Sequence, residues 1–316
     1  MGPATDGILL IDKCRGETSH GVVKKIRFAF QDAGRVKVGH AGTLDPFATG
    51  LLIVLLGQGT KLSQFIMPGE KVYSAILELG VETDTLDLTG RVVATAAVPD
   101  MSLEYVRERA KRFVGKLHQV PPAYSAIRVK GKRAYELARK GRPVDLMARE
   151  ITVHSLQVLS IDLPYIRLHI RCSSGTYIRS IGSELGKALG PGGRLSSLRR
   201  IKSGPFDVET ALSSAEMDRG TAGPSLAERI IPMREAIPHM GEINVSSSTA
   251  EKVRQGCQPV WEKLMAGCDS TNGIESDFCN GWIKLVSDGR LAAILHVAPG
   301  NGGGRGRVNI ERVFSL

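Results

Sequence analysis

The chain reads as an α+β protein with a small β-rich domain at its C-terminal end, and three features carry that reading. Tyr165 to Cys172 alternates cleanly, with Ile166, Leu168 and Ile170 on one face and Arg167, His169 and Arg171 on the other. Val22, Val23, Ile26, Ala29 and Phe30 instead recur at helical spacing. From about Gly241 the chain turns glycine-rich and β-like, and Ser287-Asp288-Gly289-Arg290 between apolar runs signals a hairpin. A length of 316 residues suits two domains.

The elements follow in order. Gly7 to Ile11 is an apolar strand, and Ser19 is the expected N-cap of the helix through Phe30. Leu51 to Leu56 and Lys71 to Leu79 are strand-like, and Gly57-Gln58-Gly59-Thr60 is expected to start a short helix. Asp84 to Gly90 is a polar turn leading to Arg91-Val92-Val93. Ser102 caps a helix that buries Leu103, Val106, Ala110 and Phe113. The basic stretch from Pro121 to Arg149 interrupts this pattern and carries a short helix around Tyr135 to Lys140. Regular strands resume at Ile151 to Ser160, and Thr176 to Leu189 reads as a helix. Glycine and proline punctuate residues 220–238, an expected linker. The expected domains are therefore 1–238 and 239–316, the second a small β-barrel-like appendage.

Composition narrows the function. Lysine and arginine number 42 against 32 acidic residues, a net charge of +10, which favours a polyanionic partner. One basic cluster comprises Arg128, Lys130, Lys132, Arg133, Arg139, Lys140 and Arg142, opposed only by Glu136. A second comprises Arg194, Arg199, Arg200 and Lys202. No run is long and apolar enough to span a membrane, and the N-terminus lacks the pattern of a secretory signal. A cytoplasmic location is expected. The five cysteines (Cys14, Cys172, Cys257, Cys268, Cys279) are odd in number, and none forms a Cys-x-x-Cys pair. Reduced thiols and no metal are expected. No Gly-Lys-Ser/Thr ending follows Gly57-Gln58-Gly59, so a phosphate loop is not indicated.

The most informative segment is Gly39-His40-Ala41-Gly42-Thr43-Leu44-Asp45-Pro46-Phe47-Ala48-Thr49-Gly50. Its glycines and proline exclude a helix or a regular strand interior, leaving a shaped loop around one carboxylate, Asp45. By itself Asp-Pro is also an ordinary turn residue. The whole string resembles the catalytic motif of the TruB family of tRNA pseudouridine synthases, whose essential aspartate falls at Asp45. Four further stretches resemble that family in order: Leu9-Leu10-Ile11-Asp12-Lys13, Lys71-Val72-Tyr73, Gly175-Thr176-Tyr177-Ile178-Arg179 and Leu198-Arg199-Arg200. Cys14 stands where the family has a proline.

The resemblance implies a pseudouridine synthase fold: a mixed, largely antiparallel sheet with flanking helices, and a PUA-like RNA-binding domain at the C-terminus. It also implies the site. Asp45 is the catalytic carboxylate, Arg179 the cation that orients it, and Tyr73 the ring that stacks on the flipped base and helps remove the C5 proton. Tyr177 lines the pocket, Leu198 closes its floor, Lys13 belongs to the substrate-binding set, and His40 contacts nucleotides beside the target. Isomerising uridine breaks the bond from ribose C1′ to N1 and forms one to C5, so no cofactor is expected. Whether Asp45 attacks the sugar, attacks the base or abstracts a ribose proton stays open.

The family substrate is tRNA, with the uridine at position 55 in the T arm as target. Tyr124-Ser125-Ala126-Ile127, Gly131-Lys132 and Tyr135-Glu136-Leu137-Ala138-Arg139 resemble an insertion of the stand-alone bacterial type, which needs no guide RNA. Arg128, Lys130, Lys132, Arg133 and Arg139 would then clamp the RNA. A monomer is expected. The alternatives are a non-catalytic RNA-binding or chaperone protein, a guide-dependent synthase, and a glycosidase, whose paired carboxylates are not apparent near Asp45.

Overall fold

The structure is a computed structural model that describes residues 5–31, 34–129, 131–142, 144–217, 226–257, 281–297 and 308–315. Its main feature is an 11-stranded mixed sheet among those residues. The main path runs Leu212–Ser213, Gly7–Lys13, Thr49–Leu56, Gly193–Ser203, Lys71–Leu79, Tyr165–Cys172, Arg149–Asp162, Gly115–Gln119. Along this path only the first pairing and that between Thr49–Leu56 and Gly193–Ser203 are parallel. The remaining neighbours on the path run antiparallel, as the resemblance implied.

Thr49–Leu56 shows why the centre is stable. It is an almost unbroken apolar run, the pattern of a strand covered on both faces. Leu52, Val54 and Leu56 join one core with the helix Ser19–Ala29, while Leu51, Ile53 and Leu55 join another. Each apolar side chain of this kind contributes roughly 1.5–3 kcal/mol on burial. The second core also contains Met233, Ala236, Ile237, Leu291, Ile294 and Phe314. Over its described residues, the expected linker at 220–238 is therefore packed chain, with Ile231–Pro232 paired to Gly7 and Ile8. Its proline and glycine content marked irregular backbone, which burial of the intervening apolar residues holds down.

Several boundaries move for local reasons. Thr18, not Ser19, caps the first helix: its hydroxyl accepts from the Gly21 amide at 2.9 Å. Ser102 does cap Leu103–Ala110. The helix expected over Thr176 to Leu189 is Ile178–Leu189 with Tyr177 at its N-cap, so Thr176 lies outside it. A 3-10 turn, Gly57–Leu62, follows the central strand. The insertion holds a small hairpin of Arg128–Val129 with Lys132–Arg133, then the helix Ala134–Ala138.

At the C-terminal end, the described residues form a four-stranded sheet in the order Gly241–Asn244, Trp282–Ser287, Arg290–Val297, Val308–Val313, with the helix Ser247–Arg254 against it. The predicted hairpin is present. Asp288 (φ +51°) and Gly289 (φ +75°) both take left-handed backbone, as a two-residue turn matched to strand twist requires. Most of the irregular segment 256–281 lies outside the described residues. Among the described residues no helix is long and apolar enough to cross a membrane.

Candidate active site

The Asp45 loop leaves the sheet after Val38–His40 and re-enters it at Thr49. Leu44, Phe47 and Ala48 are buried and anchor it from inside. The Ala48 amide donates to the Asp45 carbonyl at 3.1 Å, closing a turn around Pro46. Three distant segments then fix its backbone. The Ser19 hydroxyl donates to the Leu44 carbonyl and accepts from its amide, at 3.0 and 2.9 Å. The Gly16 amide donates to the Pro46 carbonyl at 2.7 Å. The Arg200 guanidinium donates to Gly42 O at 3.1 Å and to Leu51 O at 2.7 Å. Gly50, at φ +100°, admits no side chain, because a Cβ would collide with the Arg200 backbone.

Lys13 lies under this loop. It is fully buried, and its ammonium donates to the carbonyls of Cys14 and Glu17 at 3.0 and 2.9 Å and reaches that of Pro46 at 3.5 Å. Burial lowers its pKa to about 8, with Glu17 and Asp45 opposing. The residue expected among the substrate contacts is thus placed as a brace between the first motif and the Asp45 loop.

Asp45 and Arg179 meet as expected. Arg179 Nη2 donates to Asp45 Oδ1 at 3.1 Å, and Arg179 Nε lies 2.8 Å from Oδ2. The Arg179 side chain is 3% exposed, whereas the Asp45 side chain keeps 32% of its surface open. The guanidinium is further held by the Thr85 carbonyl at 2.8 Å and the Tyr124 carbonyl at 2.9 Å. Crowding by protein atoms pushes the Asp45 carboxyl above its ordinary range, Arg179 pulls it back, and Asp87 adds to the rise. Arg179 lowers the carboxyl's pKa, but burial outweighs it.

Asp87 was not anticipated. It is buried, with Oδ2 3.7 Å from Arg179 Nη1, so the guanidinium sits between two carboxylates. Its Oδ1 accepts from the Thr85 hydroxyl, the Thr89 amide and the Thr89 hydroxyl at 2.8, 2.8 and 2.5 Å. The Thr83 hydroxyl donates to the Asp87 carbonyl at 2.6 Å. The signal was the density of Asp and Thr in Asp84-Thr85-Leu86-Asp87-Leu88-Thr89-Gly90, residues suited to side chain-to-backbone bonds within a turn.

Tyr73, Leu198 and Arg200 share one face of the sheet. Leu198 pairs with Ala75 and Arg200 with Tyr73 across adjacent strands. Tyr73 and Leu198 are buried. Burial raises the Tyr73 phenol above its ordinary range, and the Arg200 charge opposes this. Tyr177 is half-buried, its phenol also raised by burial. His40 is half-buried with its Nδ1 enclosed and unpartnered. Burial lowers its pKa, and Arg200, His20 and Arg133 lower it further, so the imidazole is neutral at pH 7. The Asp45 charge acts on both Tyr73 and Tyr177, and the Arg200 charge on both Tyr73 and His40, so these residues lie within electrostatic reach of one another.

The two basic clusters part company. In the second, Arg194 pairs with Glu78 at 2.9 Å, Arg199 with Asp12 at 2.7 Å and Lys202 with Asp207 at 3.2 Å, while Arg200 is buried on carbonyls. In the insertion Arg128, Lys132, Arg133 and Arg139 are exposed, with Arg133 and Arg139 flanking the Tyr135 ring at 6.0 and 5.5 Å. Lys130 lies outside the described residues.

Comparison with known proteins identifies the family to which this site belongs. Residues 28–178 match the TruB family pseudouridylate synthase, N-terminal domain. The chain is 40% identical to tRNA pseudouridine synthase B of Geobacter sulfurreducens over 289 residues, 92% of each chain. The chain belongs to the TruB family. It is also 38% identical to the protein of the same name from Syntrophotalea carbinolica, over 98% of each chain. Among solved structures, the fold matches one in a Cbf5-Nop10-Gar1 complex with a TM-score of 0.70 and 26% identity, covering 98% of this chain and 85% of that one. As a TruB enzyme the protein is a pseudouridylate synthase, an isomerase, and the pseudouridine synthase fold expected from its motifs is the fold observed.

Proposed function

We propose that this TruB enzyme isomerises the uridine at position 55 in the T arm of tRNA, as a cytoplasmic monomer without guide RNA. The observation that carries the reading is the ion pair of Asp45 with Arg179, formed inside a chain that shares 40% identity with a tRNA pseudouridine synthase B. The exposed basic insertion beside the site supports recognition without a guide.

The chemistry assigned to these residues is the one that the family resemblance implies. A stacked uridine must be extruded before its C1′ is reachable, at a cost of a few kcal/mol. Stacking on Tyr73 returns about 1–3 kcal/mol. Asp45, held by Arg179 with its orientation fixed, acts on the ribose or base while the C1′–N1 bond breaks. The base turns, C5 bonds to C1′, and the C5 proton leaves while N1 gains one. The proton transfer is assigned to Tyr73, as the resemblance implies. His40, neutral and beside Arg133, meets nucleotides next to the target. The cation beside Asp45 is fixed from four sides and need not reorganise as charge shifts.

Incubating the pure protein with unmodified tRNA transcript and mapping pseudouridine tests the reading. Product at the T-arm uridine is expected with no other RNA present; a requirement for added guide RNA refutes it. Asp45→Asn should abolish product while tRNA binding persists. The acid limb of the single-turnover rate should lie above pH 3.8, because the folded carboxyl holds its proton to higher pH than a free one. The sign is consistent with stability: protonation at a raised pKa favours the folded chain as pH falls, so activity is lost without unfolding caused by this group.

A further inference from the structure

Gln119 is buried, 4% exposed, at the end of the strand Gly115–Gln119. It is the last residue paired in the sheet before the basic insertion departs, and its cross-strand partner, Arg149, is where the chain returns. Its side chain does not serve its own sheet. Gln119 Oε1 accepts from the Tyr177 amide at 2.8 Å, and Nε2 donates to the Tyr177 carbonyl at 3.0 Å. The amide therefore grips both polar groups of one backbone residue, much as a neighbouring strand would. Tyr177 is the N-cap of the helix Ile178–Leu189, has no side-chain cap bond of its own, and stands two residues before Arg179.

A second link runs the same way. Five residues beyond Gln119, the Tyr124 carbonyl accepts from Arg179 Nη2 at 2.9 Å, and the Tyr124 hydroxyl reaches Asp84 at 3.5 Å on the turn that carries Asp87. Both the root and the first stretch of the insertion are thus fastened to the segment that presents Tyr177 and Arg179.

We propose that Gln119 is a positioning residue that couples the RNA-clamping insertion to the catalytic geometry, setting the backbone of Tyr177 and through it the placement of Arg179 on Asp45. This rests on the reading of Arg179 given above. When RNA orders the insertion, the strand end at Gln119 moves or stiffens with it, and the amide transmits that to the helix N-terminus. A displacement near 1 Å at a catalytic group can cost on the order of 10²-fold in rate. Gln119 acts on rate more than on affinity, because its groups face the protein backbone and not the RNA cleft.

The test compares Gln119→Met, which keeps length and shape without either hydrogen bond, in the wild-type and Arg179→Lys backgrounds. The readouts are the single-turnover rate on tRNA transcript, the tRNA Kd and the melting temperature. Gln119→Met should slow turnover by roughly ten- to a hundredfold with Kd and melting unchanged, and by less than about threefold on top of Arg179→Lys. If Gln119→Met lowers the melting temperature, the rates are compared well below its transition, where the variant is folded. A wild-type rate in the folded variant, or an equal loss in both backgrounds, overturns the proposal. A wild-type rate for Arg179→Lys alone overturns the site reading and this proposal with it, and is seen separately from the first failure.

Discussion

The basic run at 128–142 and the shorter one at 194–202 look like equivalent invitations to a polyanion, yet they are built for different ends. In the second, each described cation has a fixed partner: carboxylates for Arg194, Arg199 and Lys202, and main-chain carbonyls for Arg200. Those charges hold strands and loops in register. In the insertion, the exposed arginines and Lys132 rest on a two-residue hairpin and a five-residue helix, where little apolar surface is buried. Charge available to RNA is charge not already neutralised by the fold, and only the local partners distinguish the two cases.

That contrast is broken or sharpened first at Arg200. The residue is 2% exposed, and its guanidinium serves Leu51 O and Gly42 O, on either side of Asp45. Arg200→Met should cost roughly 3 kcal/mol, since it leaves two enclosed carbonyls without their charged donor. A urea titration should show the midpoint fall with little change in slope. A shift too small to resolve would mean that Arg200 is not part of the framework, and the second cluster would return as an RNA surface.

The insertion should behave in the opposite way. Lys132→Glu combined with Arg133→Glu should leave stability within about 0.5 kcal/mol, as exposed substitutions do. Affinity for tRNA should nevertheless fall, and the dependence of log K on log salt should flatten by about 0.7–0.9 for each phosphate that the protein no longer neutralises. An unchanged salt slope would remove the insertion from the RNA interface.

How much of this was legible beforehand depends on the range of the interaction. Tyr165–Cys172 was legible because burial of one face leaves a mark every second residue, and Leu51 to Leu56 because burial of both faces leaves an unbroken apolar run. The hairpin at Asp288-Gly289 was legible because its turn demands left-handed backbone at both positions. Asp45 and Arg179 could be joined only through resemblance, since nothing local to either says they meet across 134 residues. Asp87, Gln119 and the reassigned Ser19 were missed for that reason. Ser19 looks like a helix cap from its neighbours, and only the folded chain shows its hydroxyl holding Leu44. Lys13 was assigned to the substrate set through the resemblance alone; in the folded chain three carbonyls share its ammonium.

Arg199 supplies the finest test of the comparison, because its side chain is the most exposed among the arginines of the second cluster. Its side chain is 40% exposed, and it grips Asp12 through two hydrogen bonds of 2.9 and 2.7 Å. The bidentate geometry favours the pair, but solvent screens both charges, so Arg199→Ala should cost only about 0.5–1 kcal/mol. High salt should shrink that difference further. The tRNA salt slope should stay at its wild-type value, since the charge removed was already matched by Asp12. If instead the slope falls as it does for the insertion variants, Arg199 trades Asp12 for a phosphate on binding. The boundary between framework charges and RNA-binding charges would then run through the second cluster and not between the two.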